Sequence, residues 1–169
     1  TSGLTARVDL TGLPAGANLF YRVRFQDLVH EKAFSEPVVG RFHTAPVQAN
    51  RPICFVFSGD EAGQGWGIDE ARGGMTIYSA ILKNRPDFFI HSGDCIYADA
   101  PIPRVMEFAD GQVWKNIVTE EKSKVAETLA EFRGNYKYNL LDKNVLAFNE
   151  QIPTLAMWDD HEVMNDWFP

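Results

Sequence analysis

The stretch that most constrains this chain is Phe88-Phe89-Ile90-His91-Ser92-Gly93-Asp94-Cys95-Ile96-Tyr97-Ala98-Asp99. An apolar run that stops on Gly-Asp reads as a buried strand with an abrupt end, and it delivers two oxygen donors, Asp94 and Tyr97, just past its carboxyl terminus. An aspartate in that position can bridge two hard cations, and a phenolate three residues later can bind a trivalent iron. The plainer reading is an ordinary turn whose aspartate caps nearby amides. Two further stretches end in the same way: Phe55-Val56-Phe57-Ser58-Gly59-Asp60, and Thr154-Leu155-Ala156-Met157-Trp158-Asp159-Asp160-His161-Glu162. Three such endings meet only if the strands share one sheet and end on one edge. The sequence therefore predicts that Asp60, Asp94, Tyr97 and the Asp159-Asp160 pair with His161 gather around a common point.

The charge distribution fits that picture. Residues 1 to 51 carry six basic and four acidic side chains, a balance of +2, so the remainder holds −9 of the formal net −7. An acidic second part suits cation binding and argues against a nucleic-acid surface, which needs a basic stripe. No run approaches the roughly 18 apolar residues of a membrane span, and the amino end shows no basic-then-apolar leader pattern. With 45% hydrophobic and 23% charged residues in 169 positions, the chain can form one good core or two small ones. Two cysteines, Cys54 and Cys95, imply no disulfide framework and are expected as buried thiols.

Residues 1–46 read as a small β module, with strands expected over Thr5–Leu10, Leu19–Phe25 and Val38–Thr44, where polar and apolar side chains alternate. Leu13-Pro14 ahead of Phe20-Tyr21-Arg22-Val23 resembles the corner of immunoglobulin-like and fibronectin type III sandwiches, in which a tyrosine hydroxyl fastens the loop. Three strands leave an inner face and an edge uncovered, so this module is expected to be partial, completed by missing chain segments or another chain. Residues 47–52 form a Pro-bracketed linker, and residues 53–169 read as an α/β unit. There a strand from Ile53 to Phe57, a helix carrying Met75, Ile77, Tyr78, Ile81 and Leu82, and a strand from Asp87 to Ile90 make a βαβ unit. A second amphipathic helix is expected to bury Val125, Leu129, Phe132, Tyr136 and Leu140. The glycine-rich loop at residues 60–67 lacks a Gly-Lys-Ser/Thr ending and is read as a site rim whose Trp66 can cover a substrate or simply pack on the surface. Arg133 is placed to reach a phosphate or to pair with Glu120 or Glu131. His91 reads as a core histidine.

The strings Ser58-Gly59-Asp60, His91 to Asp99 and Trp158-Asp159-Asp160-His161-Glu162-Val163-Met164-Asn165-Asp166-Trp167 resemble the calcineurin-like metallophosphoesterases, within them the alkaline phosphatase D (PhoD-like) branch. The resemblance implies a mixed α/β (α+β) fold, a partial metallophosphoesterase α/β sandwich preceded by the partial β module. It implies a metal-dependent phosphomonoesterase or phosphodiesterase acting on small-molecule phosphate esters, exported to the periplasm or secreted. By the same resemblance Asp60 binds a first metal, Asp94 bridges and takes part in catalysis, Tyr97 ligates ferric iron, and Asp160 binds a second metal, Ca2+, Mn2+ or Zn2+. His161 orients or protonates a phosphoryl or leaving-group oxygen, with Trp158, Asp159 and Glu162 supporting it. The branch often has cysteine in the first motif, where this chain has Ser58-Gly59-Asp60, and its later histidine and aspartate ligands lie beyond the third motif. The residues here thus amount to about half of a binuclear shell, and weak metal binding by this stretch alone is expected. The rival reading is a non-catalytic module holding one structural cation.

Overall fold

The computed structural model describes residues 5–48 and 51–168, so Ala49 and Asn50 of the expected linker lie outside the described residues. The chain is mixed α/β, with three separate sheets among the described residues. Strands β1 (Asn18–Val23) and β2 (Val38–His43) form an antiparallel hairpin. A parallel three-stranded sheet follows, built from β3 (Phe55–Ser58), β4 (Phe88–Ser92) and β7 (Thr154–Met157), with β4 in the middle. The third sheet is the short hairpin of β5 (Val105–Glu107) and β6 (Val113–Lys115), inside the stretch read from sequence as an excursion.

Parallel pairing demands crossovers, and helices supply them. α1 (Thr76–Lys83) links β3 to β4, and α2 (Leu129–Asn139) and α3 (Lys143–Asn149) precede β7. One face of the sheet packs on α1 and α3 through Phe89, Tyr78, Ile81, Val145, Phe148 and Ile152. The aromatic rings there meet edge to face, Tyr78 on Phe148 at 5.1 Å and Phe148 on Phe89 at 5.4 Å. The other face leaves Phe57, Leu155 and Met157 more than 60% exposed. This arrangement ends all three strands on the same edge, as the sequence required.

Several local expectations fail for identifiable reasons. Residues 5–10 form no strand and are exposed. The tyrosine expected to fasten its own loop does something else: the Tyr21 hydroxyl donates to the Glu150 carbonyl at 3.1 Å, and the Arg41 amide donates to the same oxygen at 3.0 Å. The loop is held instead by Thr44, whose Oγ1 donates to the Pro14 carbonyl at 2.6 Å and accepts from the Ala17 amide at 2.9 Å. The helix expected from Val125 begins four residues later, where Thr128 and Glu131 close a reciprocal capping box. Of its anticipated apolar face, Phe132 packs on the core at Ile96 and Ala98, whereas Leu129, Tyr136 and Leu140 are exposed, Leu129 to 65%. Gly134, Asn135, Tyr138 and Asn139 are buried in their place. Polar bonds explain the exchange: Asn135 accepts from Lys122 at 3.2 Å, and Asn139 donates to the Cys95 carbonyl at 2.7 Å. Cys54 is exposed, contrary to its expected burial, whereas Cys95 is half-buried with its sulfur 3.2 Å from His91 Nδ1.

Candidate metal and active site

The turns after β3 and β4 are stitched together by backbone bonds, the Asp60 amide to the Gly93 carbonyl at 3.2 Å and the Glu61 amide to the Asp94 carbonyl at 2.9 Å. Both aspartates sit in the left-handed region, Asp60 at φ 63° and Asp94 at φ 52°. Each such residue stores of order 1 kcal/mol of strain, which persists only where surrounding bonds over-determine it. Gly93 precedes Asp94 at φ 101°, and a Cβ there would run into Asp159 of the third turn. Glycine is thus required both for its backbone angle and for the close approach of two ligand-bearing turns.

The third turn is fixed by Glu162. Its buried carboxylate accepts from the amides of Asp94 at 3.1 Å, Ile96 at 3.2 Å and Asp159 at 2.6 Å. Asp159 caps the short 3-10 turn Asp160–Glu162 reciprocally with Glu162. Asp160 is left to point elsewhere: its Oδ2 accepts from the Asp166 amide at 2.6 Å, which together with His161 holds its carboxyl below the usual range.

The four oxygen donors chosen from sequence converge. The Tyr97 hydroxyl donates to Asp60 Oδ2 at 2.6 Å. Ligand atoms of Asp94, Asp160 and His161 all lie within 4.8 Å of one another. Burial, together with the charges of Asp60 and Asp160, raises the Asp94 carboxyl above its ordinary value although the His161 amide bond works against it. Burial and the carboxylates of Asp60 and Asp94 push the Tyr97 hydroxyl up. Carboxylates gathered beside a phenol and an imidazole, with Asp94 raised by burial and its acidic neighbours, are a donor set that suits a di- or trivalent cation.

His161 is held from two sides. Its ring stacks on Tyr97 at 4.2 Å, and Nδ1 faces both oxygens of Asp99 at 2.9 and 3.0 Å. Burial disfavours the imidazolium, but Asp99, Asp94 and Asp160 outweigh it and the pKa is raised. Asp99 and Glu162 are the residues whose importance sequence reasoning underrated. Both stand inside the motif strings, yet neither closes a strand.

The remaining candidates fall outside this cluster. Trp66 packs against Phe108 at 5.0 Å and Trp114 at 5.8 Å, on the wall of a cavity that also includes Asp60. Arg133 is half-buried on α2, while Glu131, one of its expected partners, pairs with Lys124 and is pulled down to about 2 by it. His91 is a core histidine, 5% exposed. Its burial opposes charge, but Cys95 and Glu61 raise it to about 10.

A family model described as PhoD-like phosphatase matches residues 55–169. Alkaline phosphatase D of Bacillus subtilis (strain 168) is 27% identical over 165 residues, covering 96% of this chain and 25% of that protein. A solved structure titled "Structure of PhoD" superimposes with a TM-score of 0.59 and 29% identity, over 88% of this chain and 25% of that one. The chain thus spans a quarter of the length of these relatives.

Proposed function

This chain belongs to the PhoD-like phosphatase family, and on that premise we propose that it forms the amino-proximal half of a binuclear phosphoester hydrolase site. The observation that carries the reading is the meeting of Asp60, Asp94, Tyr97, Asp160 and His161 where three parallel strands end. Asp60 and Tyr97 would hold one cation, Asp160 the other, and Asp94 would bridge. When bound, such a pair supplies an acidified water and neutralises charge on the phosphoryl oxygens.

The chain's own residues contribute position and a proton. Asp99 accepts from Nδ1 of His161, which leaves Nε2 to hydrogen-bond a phosphoryl oxygen or to pass a proton to the departing alkoxide. Glu162 keeps the second and third turns at fixed separation, so ligand atoms need not be reorganised when substrate arrives. Small phosphate monoesters or diesters are the substrates, and the enzyme is exported. The division into a β module and an α/β unit at residues 47–52 belongs to the same proposal; the family match beginning at residue 55 supports it.

The test is hydrolysis of p-nitrophenyl phosphate and bis(p-nitrophenyl) phosphate by the full-length protein, stripped with chelator and reloaded with Fe3+ plus Ca2+, Mn2+ or Zn2+. Activity that returns with metal and disappears in Asp94→Asn is expected, together with a visible tyrosinate-to-iron band absent in Tyr97→Phe. Undiminished hydrolysis in Asp94→Asn would remove the basis of the proposal. A stable, metal-loaded but inactive protein would favour the rival structural-cation reading.

A further inference from the structure

At the opposite end of the parallel sheet from the aspartate cluster lies a cleft of about 580 Å3, where the β1–β2 hairpin meets the amino-terminal ends of β4 and β7. Asp87 and Pro153, which immediately precede those strands, form part of its wall, along with Arg41, His43, Arg51 and Arg85. Four basic side chains in one concavity are unexpected in a chain of formal charge −7.

Two of these groups are fixed in place. Arg51 makes a forked pair with Asp87, Nη2 to Oδ1 at 2.6 Å and Nη1 to Oδ2 at 3.0 Å, and His43 Nδ1 lies 3.0 Å from Asn18 Oδ1. The other two are not: among the described residues, no hydrogen bond or ion pair is found for the side chains of Arg41 or Arg85, yet both line the cleft. Asp87 is the only carboxylate in the lining, and Arg51 already occupies it. Among the described residues, the cleft therefore keeps positive charge that no protein group neutralises.

Arg85 adds a second, independent observation. Its amide closes the end of α1 by donating to the Leu82 carbonyl at 3.1 Å, and its backbone adopts φ 50°. This is the left-handed position after a helix that glycine fills at least cost, and a long charged side chain there is paid for in strain. The Arg41 backbone is pinned too, through its amide bond to Glu150, so both guanidinium stems start from defined points.

We propose that this cleft is a binding site for a multivalent phosphate anion, held by Arg41 and Arg85 with Arg51 and His43 completing the cradle. Guanidinium groups match phosphate oxygens in forked geometry and are weakly hydrated, so they suit such a ligand better than lysine would. Because the hairpin and the α/β unit both contribute, the anion would also clamp the two together. Free phosphate released by the hydrolase site and a longer phosphate-bearing chain offer the same chemistry, and the experiment separates them.

The full-length protein is kept in excess chelator, which disables the aspartate cluster, and titrated at low ionic strength with inorganic phosphate in one arm and tripolyphosphate in the other. Binding is read by calorimetry and by the rise in Tm. Saturable binding is expected, weakened at least tenfold in both Arg41→Gln and Arg85→Gly. The glycine variant is the sharper of the two, since relieving the left-handed strain should leave its Tm without anion unchanged or raised while the anion-dependent rise is lost. Tighter binding of tripolyphosphate identifies the longer chain as ligand, and equal or tighter binding of phosphate identifies the free product. No saturable binding to wild type, or equal binding to wild type and both variants, overturns the proposal.

Discussion

Replacing Glu162 by alanine tests whether the site is assembled by one buried carboxylate. The substitution orphans three amides, those of Asp94, Ile96 and Asp159, of which the first and last carry the turns on either side of the cluster. A buried donor left without a partner costs about 1–3 kcal/mol. Three of them give a nominal range of about 3–9 kcal/mol, and water entering the vacated volume keeps the loss near the lower end, about 3–5 kcal/mol. For a chain of this size that corresponds to a fall in Tm on the order of 10 °C. Glu162→Gln retains one carbonyl oxygen but turns an NH2 toward a backbone donor, so a smaller loss of about 1–3 kcal/mol is expected. Urea denaturation of wild type and both variants gives the stabilities, and competition with a metal-sensitive dye gives affinity, expected to fall about 10- to 100-fold as for other groups that orient ligands. Stability of Glu162→Ala within 1 kcal/mol of wild type, or metal affinity unchanged, would refute the bracing role.

Other residues make separate predictions. Asp99→Asn removes the charge that fixes His161 Nδ1, and hydrolysis by the full-length protein should fall about 10- to 100-fold; a change of under twofold would show that His161 needs no such partner. Gly63→Ala puts a Cβ into the Tyr97 ring, so a loss of about 1–3 kcal/mol is expected, with a shifted Tyr97 signal in near-ultraviolet circular dichroism; an unchanged spectrum and stability would contradict the packing. Lys122 is 1% exposed, donates to the Tyr97 carbonyl and Asn135 Oδ1, and is pushed down by burial to about 8 from the ordinary 10.5. A cation whose folded pKa is depressed contributes stability above the unfolded value and loses it as pH falls through the folded one. Wild type should therefore gain about 3 kcal/mol relative to Lys122→Met between pH 8 and 10.5, and parallel stability curves for the two would count against a depressed pKa.

The sequence alone determined the parts of this protein that are written as local rules. Apolar runs closing on Gly-Asp or Asp-Asp named three strands and four oxygen donors, and because a parallel sheet puts its strand ends on one edge, their meeting at a single site followed. Tertiary structure decided what those rules leave open. Which face of α2 is buried depended on the bond that Asn135 accepts from Lys122 and the bond that Asn139 donates to the Cys95 carbonyl, partners 13 and 44 residues away. Tyr21 found its acceptor 129 residues along the chain, not in its own loop. Glu162 and Asp99 became the residues that fix the site only once three turns were folded together, since an amide needing an acceptor shows no signature in sequence. Periodicity and turn chemistry act between near neighbours and can be read directly; the satisfaction of buried polar groups is settled between distant ones, and only the folded chain reveals it.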